Sequence, residues 1–291
     1  MEETITGYTS LYALFGNPVK HSKSPEMYQY TFQALNMDSV YLALTAEEDD
    51  MAHTFQAIRS MGIKGGNLTM PVKTKGAEFA DELTESARLI GAVNNFKNEN
   101  GRIIGHNTDG KGFIDNLKVN GHAITDKKVV LLGCGAAATA IAVQALIDGA
   151  QEIVIFNRAD RFYQNGEALQ EKLATEFPDR KVTLHPLEDE HLLIDALKNS
   201  DFLFNATKVG MAPLEAESLI RDHSVFHSEL VVADTVYNPL ETKLITDAKA
   251  AAVKATFGGI GMLLYQGAAG FEFMTGQTMP VAAVKRDVYG L

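Results

Sequence analysis

Short apolar runs alternate along the chain with longer stretches whose apolar residues recur at helical spacing. That alternation predicts an α/β protein with mainly parallel sheets. Strands are expected at residues 11–15 and 40–44, and between them Ser24-Pro25-Glu26 reads as a helix start. The serine offers a capping hydroxyl and the proline is preset for the first helical position. A helical pattern over 47–61 leads to polar-ended strands around 67–70, 92–95 and 102–104. After a turn at Gly121, residues 129–132 form a continuous apolar run of the kind that fills a strand buried on both faces. It leads directly into Gly133-Cys134-Gly135, a helical run over 136–146 and a second buried strand at 153–156. Further strands are predicted at 182–184, 202–204 and 230–233, and helices at 261–275 and 281–289. No linker is rich in proline or serine, so the expected boundaries near 112 and 258 are tight.

Composition narrows the class. The 291 residues leave room for two domains, and 46% hydrophobic with 22% charged residues is globular in character. Lys and Arg number 26 against 37 Asp and Glu, a net charge of −11 that argues against a nucleic-acid partner held by its phosphates. A phosphorylated cofactor remains open, because backbone N–H groups can hold one locally. The single cysteine, Cys134, excludes an internal disulfide and a Cys-rich zinc centre. The longest nearly apolar stretch, 134–147, contains Thr139 and Gln144 and is too short for a membrane span. Glu2 and Glu3 stand where a signal peptide would carry positive charge, so the expectation is a cytoplasmic protein with no membrane partner.

The glycine loop sits where a dinucleotide fingerprint belongs, after a buried strand and at the mouth of a helix. Gly133 permits the tight turn, Gly135 lets the backbone approach a pyrophosphate, and Ala138 replaces the third glycine of the usual G-x-G-x-x-G spacing. Asn157-Arg158-Ala159-Asp160 ends the second strand, where ribose is read. Asp160 favours NAD, since a 2′-phosphate would meet repulsion, while the Arg158 guanidinium could stack on adenine or pair with that phosphate.

Other polar motifs crowd the first 110 residues. Ser22 and Ser24 lie in a loop running into a helix N-terminus, suited to a carboxylate. Asn67, Thr69 and Lys73 surround a strand end, Asn94 ends another, and Asn107-Thr108-Asp109-Gly110 follows a third. Each is bland singly: Ser24 reads as a helix cap, Lys73 as solvated, and Asn or Asp before Gly as a turn.

Together they are not bland. The ordered motifs are G-N-P-x-x-H-S-x-S-P at 16–25, N-x-T-x-P-x-K at 67–73, D-E-L-T at 81–84, G-A-V-N at 91–94 and N-T-D-G at 107–110. The glycine loop, V-Y-N-P at 236–239 and G-M-L-L-x-Q-G at 261–267 complete the series. Over nearly the whole chain the sequence resembles the shikimate dehydrogenase family. Residues 157–160 and 207–211 look like its quinate/shikimate branch, because the strictly NADP-dependent branch carries a second basic residue where Asp160 stands. Asn67 is more like the shikimate branch. The phosphate loop departs from the commoner Gly-Ala-Gly-Gly-Ala, Ala136 adding a methyl near the pyrophosphate, and Leu68 replaces the usual Val.

The resemblance implies an α/β fold of two domains. Residues 1–112 and 259–291 would form a substrate-binding catalytic domain, and 113–258 a Rossmann-type NAD(P)-binding domain. It implies reversible, NAD(P)-dependent reduction of 3-dehydroshikimate to shikimate, within aromatic amino acid biosynthesis. Lys73 and Asp109 would be the acid/base pair across the substrate. Ser22 and Ser24 would anchor the carboxylate, with Asn67, Thr69, Asn94 and Gln266 reading ring hydroxyls and Tyr237 closing the pocket. The cofactor would meet Gly133, Cys134, Gly135, Ala136 and Ala137 at the pyrophosphate, and Asn157, Arg158 and Asp160 at the ribose. Lys208 would lie near the nucleotide and Gly259 beside the nicotinamide. NAD is expected, with NADP left open, and modification of Cys134 should block its binding. No metal is implied, and His21, His106 and His122 read as surface or loop residues. The rivals are NAD-dependent oxidation of quinate to 3-dehydroquinate and a metabolite-sensing module without turnover. The sequence leaves a homodimer open.

Overall fold

The computed structural model describes residues 5–161 and 163–291, so Glu2 and Glu3, on which the signal-peptide argument rests, lie outside the described residues. The chain divides into two compact units, one from residues up to Thr108 together with Gln266–Leu291, the other Asp109–Tyr265. The second crossing, between Tyr265 and Gln266, falls inside the Ile260–Thr275 helix.

In the first unit, β1 (Ser10–Gly16), β2 (Ser39–Thr45), β3 (Gly65–Leu68), β4 (Glu82–Leu83), β5 (Asn95–Glu99) and β6 (Arg102–His106) form one sheet in the order β2-β1-β3-β5-β6-β4. β1 runs parallel to both β2 and β3, whereas β5 is antiparallel to β3 and β6. The reversal is made at Asn100 and Gly101, whose φ of +56° and +94° suit the tight turns that match strand twist. Phe15, Phe55 and Phe96 meet in the core with ring centroids 6.1 and 6.4 Å apart. Burial of such a ring contributes about 1.5–3 kcal/mol.

The second unit builds its sheet from β7 (Lys128–Leu132), β8 (Glu152–Asn157), β9 (Lys181–Pro186), β10 (Phe202–Asn205), β11 (Val231–Asp234) and β12 (Ala255–Phe257). The order is β12-β11-β10-β7-β8-β9, and every pair is parallel. This is the doubly wound Rossmann pattern, with the strand order reversing between β7 and β10. Val130, Leu132, Phe156, Leu203 and Val232 fill its core, which is why these strands read as unbroken apolar runs. Among the described residues, no helix is long and apolar enough to cross a membrane.

Local chemistry corrects four expectations. Ser24 is not a cap: it is the first residue of the Ser24–Ala34 helix, Lys23 precedes it without a side-chain cap, and Ser22 Oγ accepts from the Ser24 N–H at 3.2 Å. The strand expected at 92–95 begins only at Asn95, because Gly91 ends the Glu85–Ile90 helix in the left-handed region and Val93 N–H donates to the Lys73 carbonyl at 2.9 Å. Asp109-Gly110 is no turn but the start of the Asp109–Val119 helix. His106 is a strand residue, its Nδ1 2.8 Å from Thr84 Oγ1 and its ring 4.7 Å from that of Phe273.

Candidate active site

In the first unit the site residues sit at strand ends. β1 and β3 are parallel neighbours, with Phe15 opposite Leu68, so the loops that follow them emerge side by side. Asn17 N–H donates to the Met70 carbonyl at 2.9 Å, joining the loop bearing Ser22 and Ser24 to the one bearing Thr69. Both serines and Thr69 are half-buried, as is Lys73 at the head of the Lys73–Phe79 helix. Leu68 N–H donates to the Asn94 carbonyl at 2.9 Å, which brings Asn94 to the same end.

Behind them lies a buried amide network that the motifs only hinted at. Asn67 Oδ1 accepts from the Tyr41 hydroxyl, and its Nδ2 donates to Asn95 Oδ1 at 2.9 Å and the Asn94 carbonyl at 3.3 Å. Asn95 Nδ2 donates to Asn94 Oδ1 and Thr108 Oγ1, each at 2.7 Å, and Thr108 N–H donates to Asn94 Oδ1 at 2.8 Å. Asn67, Asn94, Asn95 and Thr108 are all buried, so every pairing stands in for a lost hydrogen bond to water. Tyr28, its ring tilted against that of Tyr41 with centroids 4.7 Å apart, donates to the Gly267 carbonyl at 3.1 Å and so ties the helix segment bearing Gln266 to the same network. Burial pushes both phenols well above their ordinary range. They stay protonated as donors.

In the second unit a cavity of about 720 Å³ opens at the switch between β7 and β10, lined by Gly133–Ala137, Arg158, Asp160, Thr207, Lys208 and Tyr237 among others. Its size is within the roughly 300–1,000 Å³ usual for small-molecule sites. Gly133 takes φ +103°, and a Cβ there would press on Thr207 Cγ2 at 2.9 Å. Gly135 is different. Its φ of −78° is open to any residue, and a Cβ would meet nothing within 4 Å. It precedes the Ala136–Ile147 helix, which no side chain caps, leaving first-turn N–H groups and the positive end of the helix dipole for a ligand. This cradle fits a pyrophosphate. Gly135→Ala is therefore expected to leave the melting temperature unchanged or slightly raised while raising the dinucleotide KM about tenfold or more. A thermal melt beside a cofactor titration checks this, and an unchanged KM would remove the loop from the site.

Asp109 is held by the helix it opens. A Cβ on Gly110 would strike the Ala140 carbonyl, so glycine lets the Asp109–Val119 helix lie directly on the Ala136–Ile147 helix. Gly259 N–H donates to the Val236 carbonyl at 3.0 Å, supporting the loop that carries Tyr237, which is 53% exposed.

Two residues missed in the sequence tie the cavity loops together. Asn205 and Asp234 end β10 and β11 opposite one another, 2% and 1% exposed. Asn205 Oδ1 accepts from the Thr207 hydroxyl at 2.7 Å, and its Nδ2 donates to Asp234 Oδ1 at 2.9 Å and the Val209 carbonyl at 3.1 Å. Asp234 also accepts from Val236 N–H at 2.9 Å and the Thr242 hydroxyl at 2.7 Å. Burial pushes its carboxyl up, against the pull of these donors. The rule that ligands bind beyond the carboxyl ends of parallel strands, applied to 202–205 and 231–234, was the available signal.

Models of one family match three parts of the chain: the shikimate dehydrogenase substrate binding domain over residues 14–96, shikimate/quinate 5-dehydrogenase over 116–235, and the shikimate 5′-dehydrogenase C-terminal domain over 259–289. A curated shikimate dehydrogenase (NADP(+)) from Listeria monocytogenes serotype 4b (strain F2365) is 41% identical over 287 residues, 99% of this chain and 98% of that protein. The chain belongs to the shikimate dehydrogenase family. Shikimate 5-dehydrogenase from Listeria monocytogenes, solved in complex with shikimate and NAD, matches with a TM-score of 0.95 and 41% identity over 98% of each chain. Quinate dehydrogenase from Corynebacterium glutamicum, solved with NAD, matches with a TM-score of 0.85 and 25% identity over 97% of this chain and 99% of that one.

As a member of the shikimate dehydrogenase family, the chain is an oxidoreductase that uses a nicotinamide dinucleotide. Cys134 lies in the phosphate loop, on the wall of the cavity. It is 8% exposed and packs against Gly166, and burial, then the Asp160 carboxylate, raise its thiol above the usual range. A buried, protonated thiol is a poor target for modification.

Proposed function

We propose that the protein interconverts shikimate and 3-dehydroshikimate, using NAD in preference to NADP. The observation that carries this reading is the likeness over 98% of the chain to a Listeria monocytogenes enzyme solved with shikimate and NAD. The bound dinucleotide supplies a hydride donor and acceptor at the nicotinamide. Lys73 protonates the reacting oxygen on reduction and takes the proton back on oxidation, with Asp109 supplying the carboxylate that orients its ammonium. Ser22 and Ser24 hold the substrate carboxylate, and Thr69, Asn94 and Gln266 meet ring hydroxyls. Asn67 spends both amide hydrogens within the buried network and so offers acceptor capacity only. Gly133, Cys134, Gly135, Ala136 and Ala137 form the pyrophosphate loop, with Lys208 near the nucleotide, and Tyr237 and Gly259 near the nicotinamide. Asn157 and Arg158 approach the adenosine. The Asp160 carboxylate, on the cavity wall, supports NAD because it pairs with ribose hydroxyls and repels a 2′-phosphate.

A second reading, NAD-dependent oxidation of quinate, draws support from the likeness to the Corynebacterium glutamicum quinate dehydrogenase. Measuring kcat/KM for shikimate and quinate, each with NAD and NADP, separates the two. Shikimate with NAD is expected to rank first. A lead for quinate establishes the second reading, a lead for NADP overturns the cofactor preference, and no turnover in any pairing overturns the whole.

A further inference from the structure

At the end of β8 the chain turns through Asn157, Arg158, Ala159 and Asp160, and the turn is fastened from the neighbouring strand by a residue outside every motif. Ala159 N–H donates to both carboxylate oxygens of Glu188, at 3.2 and 3.3 Å. Sheet register sets this contact: Asn157 lies opposite Pro186 in the parallel β8–β9 pair, and Leu187 N–H donates to the Asn157 carbonyl at 2.8 Å. Glu188 follows directly, so its side chain returns to the turn. Arg158 and Leu187 line both the dinucleotide cavity and a second cavity of about 460 Å³, whose wall includes Glu188. The carboxylate thus stands at the rim where the adenosine end of the cofactor belongs. Its field also crosses the turn to Tyr163, whose phenol is raised by burial first and then by Glu167 and Glu188.

A dinucleotide with a 2′-phosphate needs two things at this turn: an arginine, and backbone N–H groups pointing at the phosphate. Arg158 supplies the first. The N–H of Ala159, between Arg158 and Asp160, is the natural second donor, and an internal anion already holds it. We infer that Glu188 is a specificity-determining residue that stands in for the 2′-phosphate at Ala159 and so discriminates against NADP. The inference rests on the proposed reading of this cavity as the dinucleotide site. It explains how a turn that keeps a phosphate-binding arginine disfavours the phosphate, with Asp160 repelling it from one side and Glu188 occupying its donor from the other.

The test compares the wild-type protein with Glu188→Gln, which removes the charge but keeps an acceptor for Ala159, and Glu188→Ser, which also vacates the N–H. The ratio of kcat/KM with NADP to that with NAD is expected to rise about fivefold in Glu188→Gln. In Glu188→Ser it should rise about tenfold or more, equivalent to roughly 1.4 kcal/mol. Calorimetric affinities for adenosine 2′,5′-bisphosphate and for AMP give the same comparison without turnover, and the first should tighten relative to the second. A ratio within twofold of wild type in the Ser variant, by both measures, overturns the role of Glu188. Failure of the wild-type protein to bind either adenosine ligand instead overturns the dinucleotide reading of the cavity.

Discussion

Lys73→Ala is expected to lower kcat for shikimate oxidation by about 10²–10⁴-fold, the usual contribution of a positioned acid/base, with much smaller effects on cofactor affinity. Lys73 opens the Lys73–Phe79 helix half-buried, and the fold uses its backbone carbonyl, which accepts from Val93 N–H at 2.9 Å. Alanine preserves that bond, so the circular dichroism and melting temperature should stay close to wild type. What disappears is the ammonium. Steady-state kinetics with shikimate and NAD read the effect directly, and near-wild-type turnover would sink the assignment. Loss of kcat together with loss of folded protein would point instead to a structural role, which the half-exposed position argues against.

Asp234→Ala is expected to destabilise the protein by about 2–4 kcal/mol, because it strands buried donors at once. Asn205 Nδ2, Val236 N–H and the Thr242 hydroxyl all donate to this carboxylate, and Asp234 is 1% exposed. Asp234→Asn should cost far less: the amide oxygen can keep Asn205 and Val236, and the Thr242 hydroxyl can rotate to accept from the amide nitrogen. The pH dependence has a definite sign. Folding raises this carboxyl above its ordinary 3.8, so the folded state binds the proton more tightly than the unfolded state. The group's contribution is fully present below 3.8 and is lost as pH rises through the raised value. The stability gap between wild type and Asp234→Asn should therefore shrink from acid toward neutral pH. Urea denaturation of both variants across that range checks the ranking and the slope. Equal losses for Ala and Asn would show that the hydrogen bonds are not what Asp234 provides.

What the sequence determined by itself follows from local chemistry. The unbroken apolar runs at 129–132, 153–156 and 202–204 read as strands, and each is one. The glycine loop and the polar ends of these runs were legible for the same reason, since backbone geometry and strand ends depend on adjacent residues. Family motifs carried the first unit, where Asn67, Thr69, Lys73 and Asn94 are scattered in sequence. Only tertiary structure decided the rest. Ser24 lost its capping role to the geometry of one turn, and Asp109-Gly110 became a helix start because Gly110 must lie against Ala140. Asn205 and Asp234 are paired by strand register, and Glu188 reaches Ala159 across β8 and β9, 29 residues away in the chain. Hydrogen bonds of that kind form between residues whose separation along the chain says nothing of their distance in space. The sequence could name the groups that carry the chemistry, and the packing of strands decided which other groups hold them in place.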